Sequence, residues 1–141
     1  MHAGPGLLAA AGSVCLTLAL LLAWCLAGAR SSPFLKRCFP SYPYLLKAHL
    51  DFLMMTGLLY VFFLLFEQLR LTPPPAVVAA MSLGSLTNPA GFVALALKPD
   101  LPQRPATPFG ALMVASFTLT TFGYGGAAWY VARAVVGANL S

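Results

Sequence analysis

Two ionisable side chains, His49 and Asp51, stand near the start of a long apolar run, in the stretch YLLKAHLDFLMMTG. An imidazole can ligate a transition metal or transfer a proton, and a carboxylate can act as an acid, a base or an ion-pair partner. Within a membrane such groups are costly, so they usually face a partner, water or the interior of a helix bundle. Both residues are therefore candidates for a functional site.

Helical geometry separates these two side chains. Residues two apart in an α-helix point to different sides, so Asp51 is a poor partner for orienting the His49 ring, and the pair is unsuited to hold one metal ion. Lys47 lies four residues before Asp51, one turn away. An ion pair between Lys47 and Asp51 near the membrane interface is thus an alternative explanation of the carboxylate.

His49 is a candidate metal ligand in its own right. The third apolar segment offers no His, Cys or carboxylate to complete a metal site made of protein ligands alone, whereas haem requires only one protein ligand. By helical spacing, Phe52 and Thr56 share the face of His49 and are predicted to contact the cofactor. The alternative is a structural histidine that is hydrogen-bonded to a neighbouring helix.

The composition indicates which elements position these residues. Of 141 residues, 60% are hydrophobic and 8% charged, with a mean hydropathy of +0.83, which excludes a soluble domain covered by polar side chains. Four apolar segments, each long enough to cross about 30 Å of hydrocarbon as a helix, are evident. We predict an all-α integral membrane bundle of four transmembrane helices, forming a single domain over 1–141, with helices at about 6–29, 45–69, 76–97 and 109–136.

The basic residues predict the orientation in the membrane. Most lie in or beside the first and third connections: Arg30, Lys36, Arg37, Lys47, Lys98 and Arg104. By the positive-inside rule these connections face the cytoplasm, and both termini lie outside, in a bacterial cytoplasmic membrane. The net charge of +5 is thereby explained by the lipid bilayer, and no nucleic-acid partner is needed. The three cysteines form no paired motif and are interpreted as packing residues.

Two motifs resemble a known family. KAHLDFLMMTG is similar to the second-helix motif of the four-helix membrane family of styrene oxide isomerase and hydroxylaminobenzene mutase, in which an Ala-His pair opens the helix; AHLD, at 48–51, matches the order found in the mutase. TNPAGFVALALKP resembles the start of the family's third-helix motif, with Asn88, Gly91 and Phe92 at the matching positions.

The resemblance implies a haem b whose iron is held by His49, at the interface of an oligomer, a trimer in the isomerase. It implies an isomerase or mutase that rearranges a small apolar substrate, such as an epoxide or an aryl hydroxylamine, with haem iron as a Lewis acid and no redox change. Asp51 and Asn88 are then the candidate catalytic residues.

The chain also departs from the family. Met55 and Val93 stand where the family has an asparagine and a tyrosine that orient and activate the substrate. Tyr60 and Tyr124 are candidates to replace the missing hydroxyl.

A rival motif suggests a different class of protein. TLTTFGYGG, at 118–126, resembles the selectivity filter of potassium channels. Only sixteen residues, including Arg133, follow Gly125, which is short for the inner helix of a channel. The motif is better explained as helix, with small residues Gly123, Gly126 and Ala127 admitting a neighbour and threonines bonded to their own backbone. A non-enzymatic protein, either a small channel-like pore or a haem-binding or structural helix bundle, is the alternative function.

Overall fold

The fold is entirely helical over residues 4–138, which the computed structural model describes. These residues form five helices and no strand: α1 (Gly6–Ser31), α2 (Pro33–Cys38), α3 (Tyr42–Gln68), α4 (Pro75–Leu97) and α5 (Pro108–Ala138). The prediction of an all-α chain is confirmed. The four apolar segments coincide with α1, α3, α4 and α5, and their predicted ends differ from the observed ones by at most three residues.

Three of these helices suit a bilayer. α1, α3 and α4 are each long and apolar enough to cross a membrane, judged by length and composition. α5 is longer, with 31 residues, but it contains several glycine, threonine and tyrosine residues, so a smaller fraction of its side chains is apolar. Three long apolar helices are compatible with an integral membrane protein.

The short helix α2 was not anticipated from the sequence. Its first residue is Pro33, whose fixed backbone angle suits the first turn, and the Ser32 hydroxyl before it accepts a hydrogen bond from the Leu35 N–H at 3.5 Å. A serine followed by proline is a recognised start signal for a helix. This Ser-Pro signal is present in the first connection of the sequence.

The long helices pack in chain order, each antiparallel to the next. α3 lies between α1 and α4, α4 also contacts α1, and α5 is attached mainly through α4. Hydrogen bonds at successive levels, such as Ser13 to Tyr60 and His49 to Ala19, fix the antiparallel register of α1 and α3. α4 is thus the central helix, and α5 lies at the edge of the bundle.

Close approach of α4 and α5 depends on glycine. A Cβ atom on Gly123 would lie 2.5 Å from the Met81 nitrogen, and one on Gly84 would lie 2.8 Å from the Thr120 Cα. Both contacts are with backbone, which cannot turn aside as a side chain can. Glycine therefore lets the two backbones meet, as small residues commonly do between membrane helices.

The rival filter motif lies inside α5. The hydroxyls of Thr118, Thr120 and Thr121 each donate to the carbonyl four residues earlier, at 2.9 Å. Ala127 is fully buried, and Gly123 and Gly126 face α4. The prediction that this segment is helical is confirmed.

Candidate functional site

His49 is directed toward α1. Its Nδ1 lies 2.9 Å from the carbonyl oxygen of Ala19. Because a carbonyl can only accept, Nδ1 carries the hydrogen, and in the neutral ring the lone pair is left on Nε2. A histidine whose second nitrogen is held by a backbone carbonyl has the arrangement typical of a metal ligand. The same bond is also the one expected of a structural histidine between helices.

The surroundings of His49 form an open apolar face. The ring is half-buried, seven residues after the start of α3, which is about 10 Å along the helix. One turn to either side stand Leu46 and Leu53, which are 39% and 38% exposed, and on α1 Leu20 is 55% exposed. A flat apolar group placed beside Nε2 would therefore contact aliphatic side chains from both helices.

Phe52 and Thr56 lie deeper than His49. Only 2% of Phe52 and 7% of Thr56 is exposed, and the Thr56 hydroxyl donates to the carbonyl of Phe52 at 2.8 Å. Both side chains pack in the bundle rather than on its open face. Their contact with a cofactor stays a prediction.

Asp51 and Asn88, the two candidate catalytic residues, are brought together. The Asn88 amide donates to Oδ2 of Asp51 at 2.8 Å, which links α3 to α4. Only 8% of Asp51 is exposed. A buried carboxyl group needs such a donor, because an unsatisfied one would be strongly destabilising.

Lys47 occupies a different position from the one suggested by its spacing to Asp51. Its Nζ lies 4.6 Å from the centre of the Phe92 ring, in cation–π geometry. Lys47, Asp51 and Phe92, with Leu50 and Met54, line a cleft of about 230 Å³ between α3 and α4. The cleft combines one carboxylate, one ammonium and an aromatic ring, and so can hold a small molecule with a single polar group.

The two groups of candidate residues lie on opposite sides of α3. His49 faces α1, whereas Asp51 faces α4, as expected for residues two apart on a helix. A substrate in the cleft beside Asp51 is therefore separated from Nε2 of the same chain by α3 itself.

The two tyrosines considered as replacement hydroxyls both have partners. The Tyr124 hydroxyl lies 2.7 Å from Oγ of the buried Ser85, and the Tyr60 hydroxyl lies 2.8 Å from Oγ of Ser13. Tyr60 is eleven residues from His49, about 16 Å along the helix. Neither tyrosine is placed to contact a substrate held at His49.

A buried polar cluster around Ser85 was missed by the sequence analysis. Besides Tyr124, Ser85 engages Cys15, whose Sγ is 3.6 Å from the Ser85 carbonyl oxygen. Nearer the surface, the exposed Thr87 is bonded to the buried Ser116 of α5 at 2.8 Å. The available signal was the run of hydroxyl and amide residues in the middle of α4. The three cysteines are free thiols, and Cys15 is fully buried.

Among residues 4–138, no group of three His, Cys, Asp or Glu side chains is close enough to hold a metal ion by itself. His49 therefore belongs to no such group. Comparisons of the chain with models of protein families, with curated proteins and with solved structures find no match.

Proposed function

We propose that the chain is a four-span membrane protein that binds haem b through Nε2 of His49 and rearranges a small apolar substrate. The observation that carries the proposal is the 2.9 Å hydrogen bond from His49 Nδ1 to the Ala19 carbonyl, which orients the ring and leaves Nε2 as the free ligand atom. The two motifs that resemble the isomerase and mutase family support the same assignment.

The four-span arrangement includes α5. Its 31 residues exceed the roughly 20 that a spanning helix requires, and its contact with α4 buries glycines and hydroxyl groups inside the bundle. With four spans and basic residues in the first and third connections, both termini lie on the outer side of a bacterial cytoplasmic membrane, away from the cytoplasm.

A second copy of the chain is needed to complete the site at His49. On the face that carries His49, Leu20, Leu46 and Leu53 remain exposed, so a porphyrin bound there would have protein on one side and lipid on the other. A second copy covering the other side would bury the ring. The functional form is accordingly an oligomer, and a trimer is the form implied by the resemblance.

An oligomer also resolves the separation of His49 from Asp51. The cleft beside Asp51 opens on the α4 side of α3, so the cleft of one chain can face His49 of the next. In that arrangement Asn88 holds Oδ2 of Asp51 and leaves Oδ1 to accept a hydrogen bond from the substrate. The chemistry that bound haem would supply is Lewis-acid polarisation of a substrate C–O or N–O bond, without net redox change.

The first test is the absorption spectrum of the protein purified in mild detergent from haem-supplied cells. A Soret band is expected in the wild type and is expected to be lost or shifted in His49→Ala. The matched control is His2→Ala, which removes the other histidine of the chain and should leave the band unchanged. Haem-loaded protein is then offered an aryl epoxide and an aryl hydroxylamine, and the aldehyde or rearranged product is measured.

A structural role for His49 is the second candidate, since its hydrogen bond joins α1 to α3. A folded, monodisperse wild type without haem would overturn the cofactor proposal and support this role. Thermal unfolding of His49→Ala then gives the contribution of the bond, expected to be about 1 kcal/mol.

A further inference from the structure

A basic cleft lies at the end of the bundle where α1 ends and α3 begins. It has a volume of about 510 Å³, and its charged lining residues are Arg30 and Lys36, accompanied by the aromatic residues Phe39 and Tyr42. The short helix α2 connects the two long helices in the chain and contributes Lys36 to the lining. This cleft is on the connecting end of the bundle and plays no part in the function proposed above.

Arg30 is held in place within the cleft. A terminal guanidinium nitrogen of Arg30 donates to the Tyr42 hydroxyl at 3.2 Å, and its guanidinium carbon lies 5.7 Å from the centre of the same ring. The Tyr42 hydroxyl engages one of the five N–H donors of the guanidinium. A planar donor group that is already oriented loses little freedom when it binds a phosphate or carboxylate in bidentate fashion.

The charge of this region is unbalanced. The first fifty residues contain no Asp or Glu, and the three acidic residues of the chain are Asp51, Glu67 and Asp100. Asp51 is bonded to Asn88 in the bundle, and Glu67 belongs to the last turn of α3, at the opposite end. Asp100 lies in the α4–α5 connection at the same end as the cleft but does not line it. Arg30 and Lys36 therefore attract an anion, and the lining offers no acidic side chain to a cationic group.

The depth and the apolar surroundings favour a lipid as the source of that anion. The cleft lies where two membrane-length helices end, which is the level of the headgroups. Phe34, on the same short helix as Lys36 but outside the cleft lining, is 71% exposed. Exposed aromatic and basic residues at a helix end are typical anchors in the interfacial layer, and basic pockets between such helices bind phosphate headgroups.

We propose that Arg30 and Lys36 form a binding site for the phosphate of an anionic phospholipid headgroup. The Phe34 side chain enters the adjoining acyl region of the bilayer, and Tyr42 orients the Arg30 guanidinium group that binds the phosphate. An anionic headgroup is preferred over a zwitterionic one, because the lining holds two basic side chains and no carboxylate to pair with the ammonium group of choline or ethanolamine.

The test uses the full-length protein in a zwitterionic detergent, with the thermal unfolding midpoint as the measurement. Short-chain phosphatidylglycerol, short-chain phosphatidylcholine and inorganic phosphate are titrated separately. Phosphatidylglycerol is expected to raise the midpoint in a saturable way. The double variant Arg30→Gln/Lys36→Gln is expected to bind it about twenty-five-fold more weakly, because each basic side chain near anionic headgroups contributes about fivefold.

The matched control is Lys98→Gln/Arg104→Gln, which removes two charges from the other connection at the same end of the bundle. It should keep the wild-type response. Equal weakening in both double variants would overturn the site and leave general attraction to anionic lipid. A phosphate response as large as that of phosphatidylglycerol would overturn the lipid assignment and indicate a site for a free anion. No saturable response to any of the three would overturn the site altogether.

Discussion

Asn88 Nδ2 lies 2.8 Å from Asp51 Oδ2, and this hydrogen bond ties α3 to α4 at about the same depth as the histidine on the other side of α3. Asp51 as a residue is 8% exposed, so its Oδ2 depends on the Asn88 amide as its hydrogen-bond donor. The pair is thus both a candidate for substrate binding and a structural link between two helices.

Replacement of Asn88 by leucine is expected to destabilise the protein by about 2 kcal/mol, because Asp51 loses its donor while remaining buried. Asp51→Leu alone should also destabilise, by leaving the Asn88 amide without its acceptor. The measurement is the unfolding free energy in mixed micelles of mild detergent and dodecyl sulfate.

The double variant Asp51→Leu/Asn88→Leu distinguishes a specific pair from two independent losses. Removing both partners leaves no unsatisfied group, so the double variant should be more stable than the sum of the two single effects predicts. Strict additivity would mean that the pair is not coupled.

Much of this fold follows from elementary features of the sequence. Apolar length alone locates the four long helices, since a hydrocarbon layer requires about 20 apolar residues per span. The helical period alone predicts that His49 and Asp51 face different neighbours. In the structure, His49 faces α1 and Asp51 faces α4. Both are local properties and need no knowledge of packing.

The partners of the site residues are not local properties. Lys47 has the spacing for an ion pair with Asp51, but its Nζ lies over the Phe92 ring and Asp51 is bonded to Asn88. Those partners depend on how α3 and α4 are rotated about their axes, which the packing of side chains between whole helices sets. Periodicity identifies which residues share one face of a helix, but it cannot identify the residue on the neighbouring helix that contacts them.

The α4–α5 contact should be sensitive to a single methyl group. Gly123→Ala is expected to destabilise by about 1–3 kcal/mol, because the new Cβ would meet the backbone of Met81 and force the helices apart. Gly125→Ala, two residues along, has open space at its Cβ and should stabilise by about 0.5–1 kcal/mol through lower backbone entropy in the unfolded chain. Thermal unfolding of both variants in the same detergent gives the comparison. Equal effects would contradict the close approach.

The end of α3 stores backbone strain at Arg70. This residue has a φ of 50°, and Leu71 N–H returns a hydrogen bond to the Phe66 carbonyl at 2.8 Å, the pattern of a helix end that favours glycine. Arg70→Gly should be more stable than Arg70→Ala by about 1 kcal/mol, since only glycine relieves the left-handed conformation. Both variants lose the same charge, so their difference in unfolding midpoint isolates the backbone. Identical midpoints would show that the strain is negligible.

The two tyrosine hydroxyls should contribute unequally to stability. Tyr124→Phe keeps the ring, which packs 5.7 Å from the Phe62 centroid, but removes the hydroxyl bonded to Ser85, a residue with 0% exposure. A loss of about 1 kcal/mol is expected, because the buried Ser85 hydroxyl is left without that partner. Tyr60→Phe should cost less, since Ser13 retains its bond to the Ala9 carbonyl at 2.9 Å. If the unfolding free energies of the two variants are equal, the interior bond contributes no more than the peripheral one, and the cluster around Ser85 does not stabilise the α4–α5 contact.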